Sequence, residues 1–130
     1  MSGSERIRFL VILSAEPGQI PRASEQIARE LSRKFGGATV MGGEDSSWLA
    51  GYWAEDGHAF KGEYDGEVHK ESVFAVMLMV LPEDEARAFA EIRNAVRQAV
   101  SDFGLNSRHI HVEVSSVRSR HFDIQDHEPD

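Results

Sequence analysis

Nine consecutive apolar residues, Val73-Phe74-Ala75-Val76-Met77-Leu78-Met79-Val80-Leu81, stopped by Pro82, set the strongest limit on how this chain can fold. An extended segment turns alternate side chains to opposite faces, and here neither set is polar, so the run predicts a strand buried on both sides. Glu83-Asp84-Glu85 then opens a helical pattern that lasts to Gly104, with Phe89, Ile92, Val96, Val100 and Phe103 on one stripe. Strand and helix carry apolar surfaces that can hide in one another, and the pair predicts the core.

The rest of the chain repeats this grammar. Ile7 to Leu13 reads as a first strand, apolar on both sides from its middle onward, because Leu10 and Ile12 oppose Phe9, Val11 and Leu13. A turn at Glu16-Pro17-Gly18 leads to a first helix over about Pro21 to Phe35, with Ala23, Ile27, Leu31 and Phe35 every four residues and Gly36 placed for a left-handed cap. Ala38 to Met41 makes a short second strand. The stretch from Trp48 to Gly66 is irregular and holds both tryptophans and both tyrosines; within it Asp56-Gly57 predicts a hairpin turn between Tyr52-Trp53-Ala54 and His58-Ala59-Phe60. A third strand runs from about Glu67 to Leu81, a second helix from about Glu83 to Phe103, and a fourth strand over Arg108 to Ser115. That last strand alternates Ile110, Val112 and Val114 with His109, His111 and Glu113. Residues 118–130 lack any period and are expected to form a tail beyond a single domain over residues 1–117.

The order strand, helix, strand, strand, helix, strand is the ferredoxin-like βαββαβ plan, an α+β fold with a four-stranded antiparallel sheet, two helices on one face and here an inserted aromatic hairpin. The expected sheet order is fourth, first, third, second, with the first and third strands parallel and central. Arg6 or Arg8 would then sit between Glu71 and Glu113 in a cross-strand charge ladder. Helices cover only one face of such a sheet. The other face, with Leu10 and Ile12 beside an alternate set of the third strand, needs a cover, either the Trp48 to Gly66 segment or a second copy. At roughly 25 cal/mol per Å², a patch of several hundred Å² is worth several kcal/mol, so a homodimer through the open sheet face is the expectation.

Composition removes several classes of function. The chain has no cysteine, which excludes disulfides and thiolate chemistry, and a formal charge of −8, which disfavours nucleic acid despite a basic patch at Arg118, Arg120 and His121. The nine-residue apolar run is too short to span a bilayer, and the first residues lack a secretory pattern. The expectation is a cytoplasmic protein with no cofactor, no nucleic-acid partner and no membrane partner. No phosphate-cradling glycine loop, His-Glu-x-x-His helix or Gly-x-Ser-x-Gly elbow is present.

Two constellations remain. Trp48, Tyr52, Trp53, Phe60 and Tyr64, with His58, Glu63 and Asp56, have the composition of a small-molecule pocket, and equally of an aromatic cap on the open sheet or a dimer seal. Ligand-binding candidates are Tyr52, Trp53, His58, Glu63 and His111. His109, His111 and Glu113 leave one face of a strand and form the candidate metal set. The outer two stand roughly 13 Å apart, so only an adjacent pair can share an ion. Glu67, His69 and Glu71 alternate in the same manner at the start of the third strand.

The segment Phe35-Gly36-Gly37-Ala38-Thr39-Val40, followed by Gly51-Tyr52-Trp53 and Glu63, resembles a pattern of small uncharacterised bacterial and phage-type α+β proteins. That resemblance implies a fold and no catalytic residues. The dimeric α/β-barrel proteins, which pack two such sheets face to face, are similar in architecture. Two readings of function stand together: a non-catalytic homodimeric module that binds a small ligand or a protein over Trp53, and a small enzyme with a His/Glu acid–base or metal site on the polar sheet face, drawn from Glu63, His69, His109 and His111.

Overall fold

The computed structural model of the chain describes residues 3–42, 49–107 and 110–125. In order they form β1 (Glu5–Ser14), α1 (Ile20–Phe35), β2 (Thr39–Met41), β3 (Ala50–Ala54), β4 (Val68–Val80), α2 (Glu85–Phe103) and β5 (His111–Arg118). Each helix is entered through a 3-10 turn that begins on proline, Pro17–Gln19 and Pro82–Asp84, where the fixed φ suits the first position and the missing N–H is not needed. Gly36 (φ 96°) and Gly104 (φ 60°) end the helices in the left-handed region.

The strand order is β2-β4-β1-β5, with β3 also paired to β4. This is the ferredoxin-like α+β plan, and the two strands apolar on both faces are central, as expected. It departs from expectation in strand number and in direction. The sheet has five strands because β3 zips onto the overhanging start of β4. The two central strands run antiparallel, with Ile7 opposite Val80 and Ser14 opposite Val73. Connectivity requires this: α1 returns the chain so that β1 and β2 share a direction, and β4, reached through a hairpin from that side, opposes both.

Direction also removes the charge ladder. Arg8 stands opposite Met79 and Ser115, Arg6 opposite Val117, Glu71 opposite Gly51 and Glu113 opposite Leu10. The start of β4 projects past the end of β1, so no arginine of β1 can lie between those glutamates.

The expected short hairpin is replaced by a longer one. β3 pairs with residues 68–72 of β4 and not with His58–Phe60, and the intervening loop is closed by the Glu55 N–H donating to Glu67 O at 3.0 Å. Asp56-Gly57 does turn the chain, with Gly57 N–H donating to Ala54 O at 2.9 Å. Where β2 gives way to β3, Gly42 (φ 83°) lies so near the Leu49 side chain that a Cβ there would fall 2.6 Å from Leu49 Cδ1.

One face of the sheet carries the core. Phe9, Val11, Leu13, Phe74, Val76 and Leu78 pack under Ala23, Ile27 and Leu31 of α1 and Ala88, Ile92, Ala95, Val96 and Ala99 of α2. The α2 stripe is narrower in side-chain size than the sequence suggested. Alanines at 88, 95 and 99 fill three of the buried positions of the helix, and Phe89 stands on the flank, where it is 41% exposed with the Arg93 guanidinium over its ring. The helices are tied to each other by Lys34, whose ammonium lies 2.8 Å from Glu91 and 3.1 Å from Glu30; the hydrogen bond holds the Glu91 carboxyl below its ordinary value. Gln19 Nε2 donates to Phe103 O at 2.8 Å, satisfying a carbonyl at the end of α2.

The other face has no helix. Leu10, Ile12, Val73 and Met77 are half-buried there, Ala75 is shielded among them, and Met41 and Met79 are each 38% exposed. Past Arg118 the chain stays attached for one residue more, Ser119 N–H donating to Ser4 O at 2.7 Å.

The hairpin loop is organised by Asp56. Its carboxylate accepts from the backbone N–H groups of Asp65 (3.2 Å) and Gly66 (3.1 Å) and lies 2.8 Å from the Lys61 ammonium. Lys61 first, and then those N–H groups, hold the carboxyl down from its ordinary 3.8 to about 2. A depressed folded-state value stabilises the fold above the unfolded value, and the gain is lost as pH falls through the folded one. The stability advantage of the wild-type chain over Asp56→Asn should therefore be constant above pH 4 and shrink between about pH 4 and pH 2, as read from urea midpoints at each pH. Phe74→Ala, a truncation in the fully buried layer, should cost about 3–5 kcal/mol in the same denaturation experiment.

Candidate functional site

The residues singled out from the sequence fall in separate places, and the best-connected group is at the β3–β4 end of the sheet. Directly opposed residues of an antiparallel pair share a face, so the ladder places Trp53 with His69 on one side and Tyr52 with Lys70 on the other. The Trp53 and His69 rings stack, centroids 4.6 Å apart at 29°. Lys70 Nζ lies 5.9 Å from the centroid of the Tyr52 ring.

Beyond His69 the same face holds two carboxylates. His69 Nε2 is 2.8 Å from Glu55 Oε1, and one donor atom each from Glu55, Glu67 and His69 lie within 4.8 Å of one another. The loop-closing hydrogen bond from Glu55 to Glu67 makes the two glutamates cross-strand neighbours. Lys61, the nearby cation, is engaged by Asp56 at 2.8 Å and Asp65 at 3.5 Å. Among the described residues no lysine or arginine forms an ion pair with Glu55 or Glu67; the partner of Glu55 is His69. One imidazole and two carboxylates are a donor set for borderline divalent ions.

His111 and Glu113 form a second pair, Nε2 to Oε2 2.8 Å, with both side chains 61% exposed. They stand on the helix-free face, opposite Ile12 and Leu10. His109 lies outside the described residues, so of the expected metal set the structure brings together His111 and Glu113.

The aromatic wall is not assembled as a unit. Tyr52 and Trp53 are neighbours in a strand and therefore leave opposite faces, Phe60 is 96% exposed, and Trp48 lies outside the described residues. Tyr64 accepts from the Lys61 N–H through its hydroxyl at 3.2 Å and closes the loop locally. His58 is exposed, and so is Glu63, which removes the burial that an acid role there depended on.

Two features escaped the sequence reading. Glu55 is hidden in the sequence because Asp56-Gly57 predicts a hairpin closed within residues 52–60; pairing β3 with the start of β4 puts Glu55 across from Glu67. At the far end of the sheet, where β1 begins and β5 ends, Gly3, Ser4, Arg118 and Arg120 line an open cleft of about 420 Å³, remote from Trp53. The two arginines of the basic patch were its only visible signal.

No protein-family model matches this chain, and no curated protein does. Among solved structures, it is similar to a phage SAM lyase in complex with S-methyl-5'-thioadenosine, at 12% identity over 95% of this chain and 97% of that one, with a TM-score of 0.46. It is similar to the periplasmic divalent cation tolerance protein CutA from Archaeoglobus fulgidus, at 11% identity over 92% and 89% of the two chains, TM-score 0.41. An amidase of the hydantoinase/carbamoylase family from Burkholderia multivorans matches at 16% identity over 88% of this chain but 29% of its own, TM-score 0.44. Likeness this distant carries nothing about activity, and the fold assignment stands on the strand order and connectivity of the chain itself.

Proposed function

We propose that this chain is a non-catalytic α+β module that acts as a homodimer, two copies meeting through the sheet faces that no helix covers, and that it binds a small ligand or a protein partner on the side of Trp53. The observation that carries the reading is the row Leu10, Ile12, Val73, Ala75 and Met77, extended by Met41 and Met79, at the centre of a sheet whose helices all lie on the other side. A two-fold axis lets one such row serve both partners, since each copy presents the same patch to the other. Several hundred Å² of apolar surface removed from water contributes several kcal/mol at roughly 25 cal/mol per Å².

Trp53 and His69 lie where this row turns polar, so a ligand held near Trp53 would meet aromatic, imidazole and carboxylate groups, while His111 with Glu113 flanks the row farther along, opposite Ile12 and Leu10. Tyr52, His58 and Glu63 border the same hairpin from its other face and its loop. The cytoplasmic setting and the relation to small uncharacterised bacterial and phage-type α+β proteins belong to this proposal. The rival, a small enzyme using these His–Glu pairs, draws on their 2.8 Å separations, but both side chains of the His111 pair stand largely in water.

Sedimentation at micromolar concentration should give a mass near twice 14.5 kDa. Ile12→Glu and Met77→Glu should each yield a monomer with an unchanged far-UV circular dichroism spectrum. A wild-type chain that sediments as a monomer defeats the dimer.

A further inference from the structure

We infer that Glu55, Glu67 and His69 form a binding site for one divalent first-row metal ion, with the Trp53 ring as the wall that fixes the imidazole. The three donors come from the two ends of the hairpin that the Glu55–Glu67 backbone hydrogen bond holds together. Ions of this class sit about 2.1 Å from nitrogen and oxygen donors, so donors that share one ion stand roughly 3 to 4.5 Å apart. The observed set, with Nε2 and Oε1 2.8 Å apart and all three atoms within 4.8 Å, is close to that spacing before any ion is present. Small rotations of exposed glutamates suffice to complete it.

A second observation, independent of the spacing, also points to a cation. Like charges held opposite each other on neighbouring strands repel. Here two carboxylates are so held, while Lys61 is committed to Asp56 and Asp65, and Lys70 lies on the other face over Tyr52. Glu55 has only the stacked imidazole of His69 as its partner, and Glu67 beside it has no cation among the described residues. Three protein donors leave the remaining coordination positions to water. The imidazole favours zinc, copper, nickel or iron, with cobalt(II) as a spectroscopic stand-in, over magnesium, calcium and manganese, which suit all-oxygen sites.

The site stands apart from the dimer reading, because its donors lie beyond the apolar row. The test uses the full chain, stripped with a chelator and titrated with cobalt(II) and zinc(II) chloride by calorimetry, while tryptophan emission follows the cobalt titration. Expected are one ion per chain and quenching of Trp53 by cobalt, with Trp53→Phe retaining the ion but losing most of the quench. Glu67→Gln, whose side chain holds no other partner among the described residues, should weaken binding at least about tenfold, and so should His69→Ala. His111→Ala and Glu113→Gln should leave it unchanged. Absence of saturable binding, undiminished binding in Glu67→Gln, or equal loss in His111→Ala would overturn the site. None of these outcomes depends on whether the protein sediments as a monomer or a dimer, so the two proposals fail separately.

Discussion

The structure depends on one mismatch: the two central strands are apolar on both faces, and the chain supplies helices for only one. Ile7, Phe9, Val11 and Leu13 meet α1 and α2 together with Phe74, Val76, Leu78 and Val80, and this layer is buried. The alternate residues of the same strands gain only from one another. A sheet built this way is held by its covered face, and its bare face is left as a surface with free energy still to gain from contact. The self-association reading is a statement about that remainder.

The helix-free face is not uniform along its length. Following β4 backwards by twos, Met79, Met77, Ala75 and Val73 give way to Glu71, His69 and then Glu67, while β1 ends at the level of Val73. An apolar row and a polar one therefore occupy one continuous line of the longest strand. Asp56 stabilises the polar end by gathering two backbone N–H groups and an ammonium into the loop, which keeps Glu67 near Glu55 without touching either carboxylate. Local loop chemistry thus sets the geometry of groups that it does not contact.

Much of the fold was legible in the residues. The apolar run from Val73 announced a central strand, the four-residue period of Ala23, Ile27 and Leu31 announced α1, and Gly36 and Gly104 marked both helix ends where they occur. What could not be read was pairing. Whether two adjacent strands run parallel depends on the path of the connection and not on their composition, and the wrong direction produced a charge ladder that does not exist. The same blindness hid the candidate cation site. Glu55 and Glu67 are twelve residues apart and become neighbours only once β3 is known to pair with the start of β4. Spacing along one strand favoured His109, His111 and Glu113, because a two-residue period is visible in a sequence and a cross-strand contact is not. The aromatic wall failed for a related reason: adjacent residues look like a cluster in a string of letters, yet a strand sends Tyr52 and Trp53 to opposite sides.

β4 is thirteen residues long, and its two halves have different neighbours. From Val73 to Val80 it pairs with β1, and over Ala75 to Met77 with the edge strand β2 as well; its first residues, Val68 to Glu71, are laddered to β3 alone. A two-stranded ribbon by itself is marginal in water. The hairpin can therefore open as a separate unit while the layered core remains closed. Groups on that ribbon would then report its own opening equilibrium, and a ligand that bridges its two strands would act as a clasp on the ribbon without adding to the resistance of the core to unfolding.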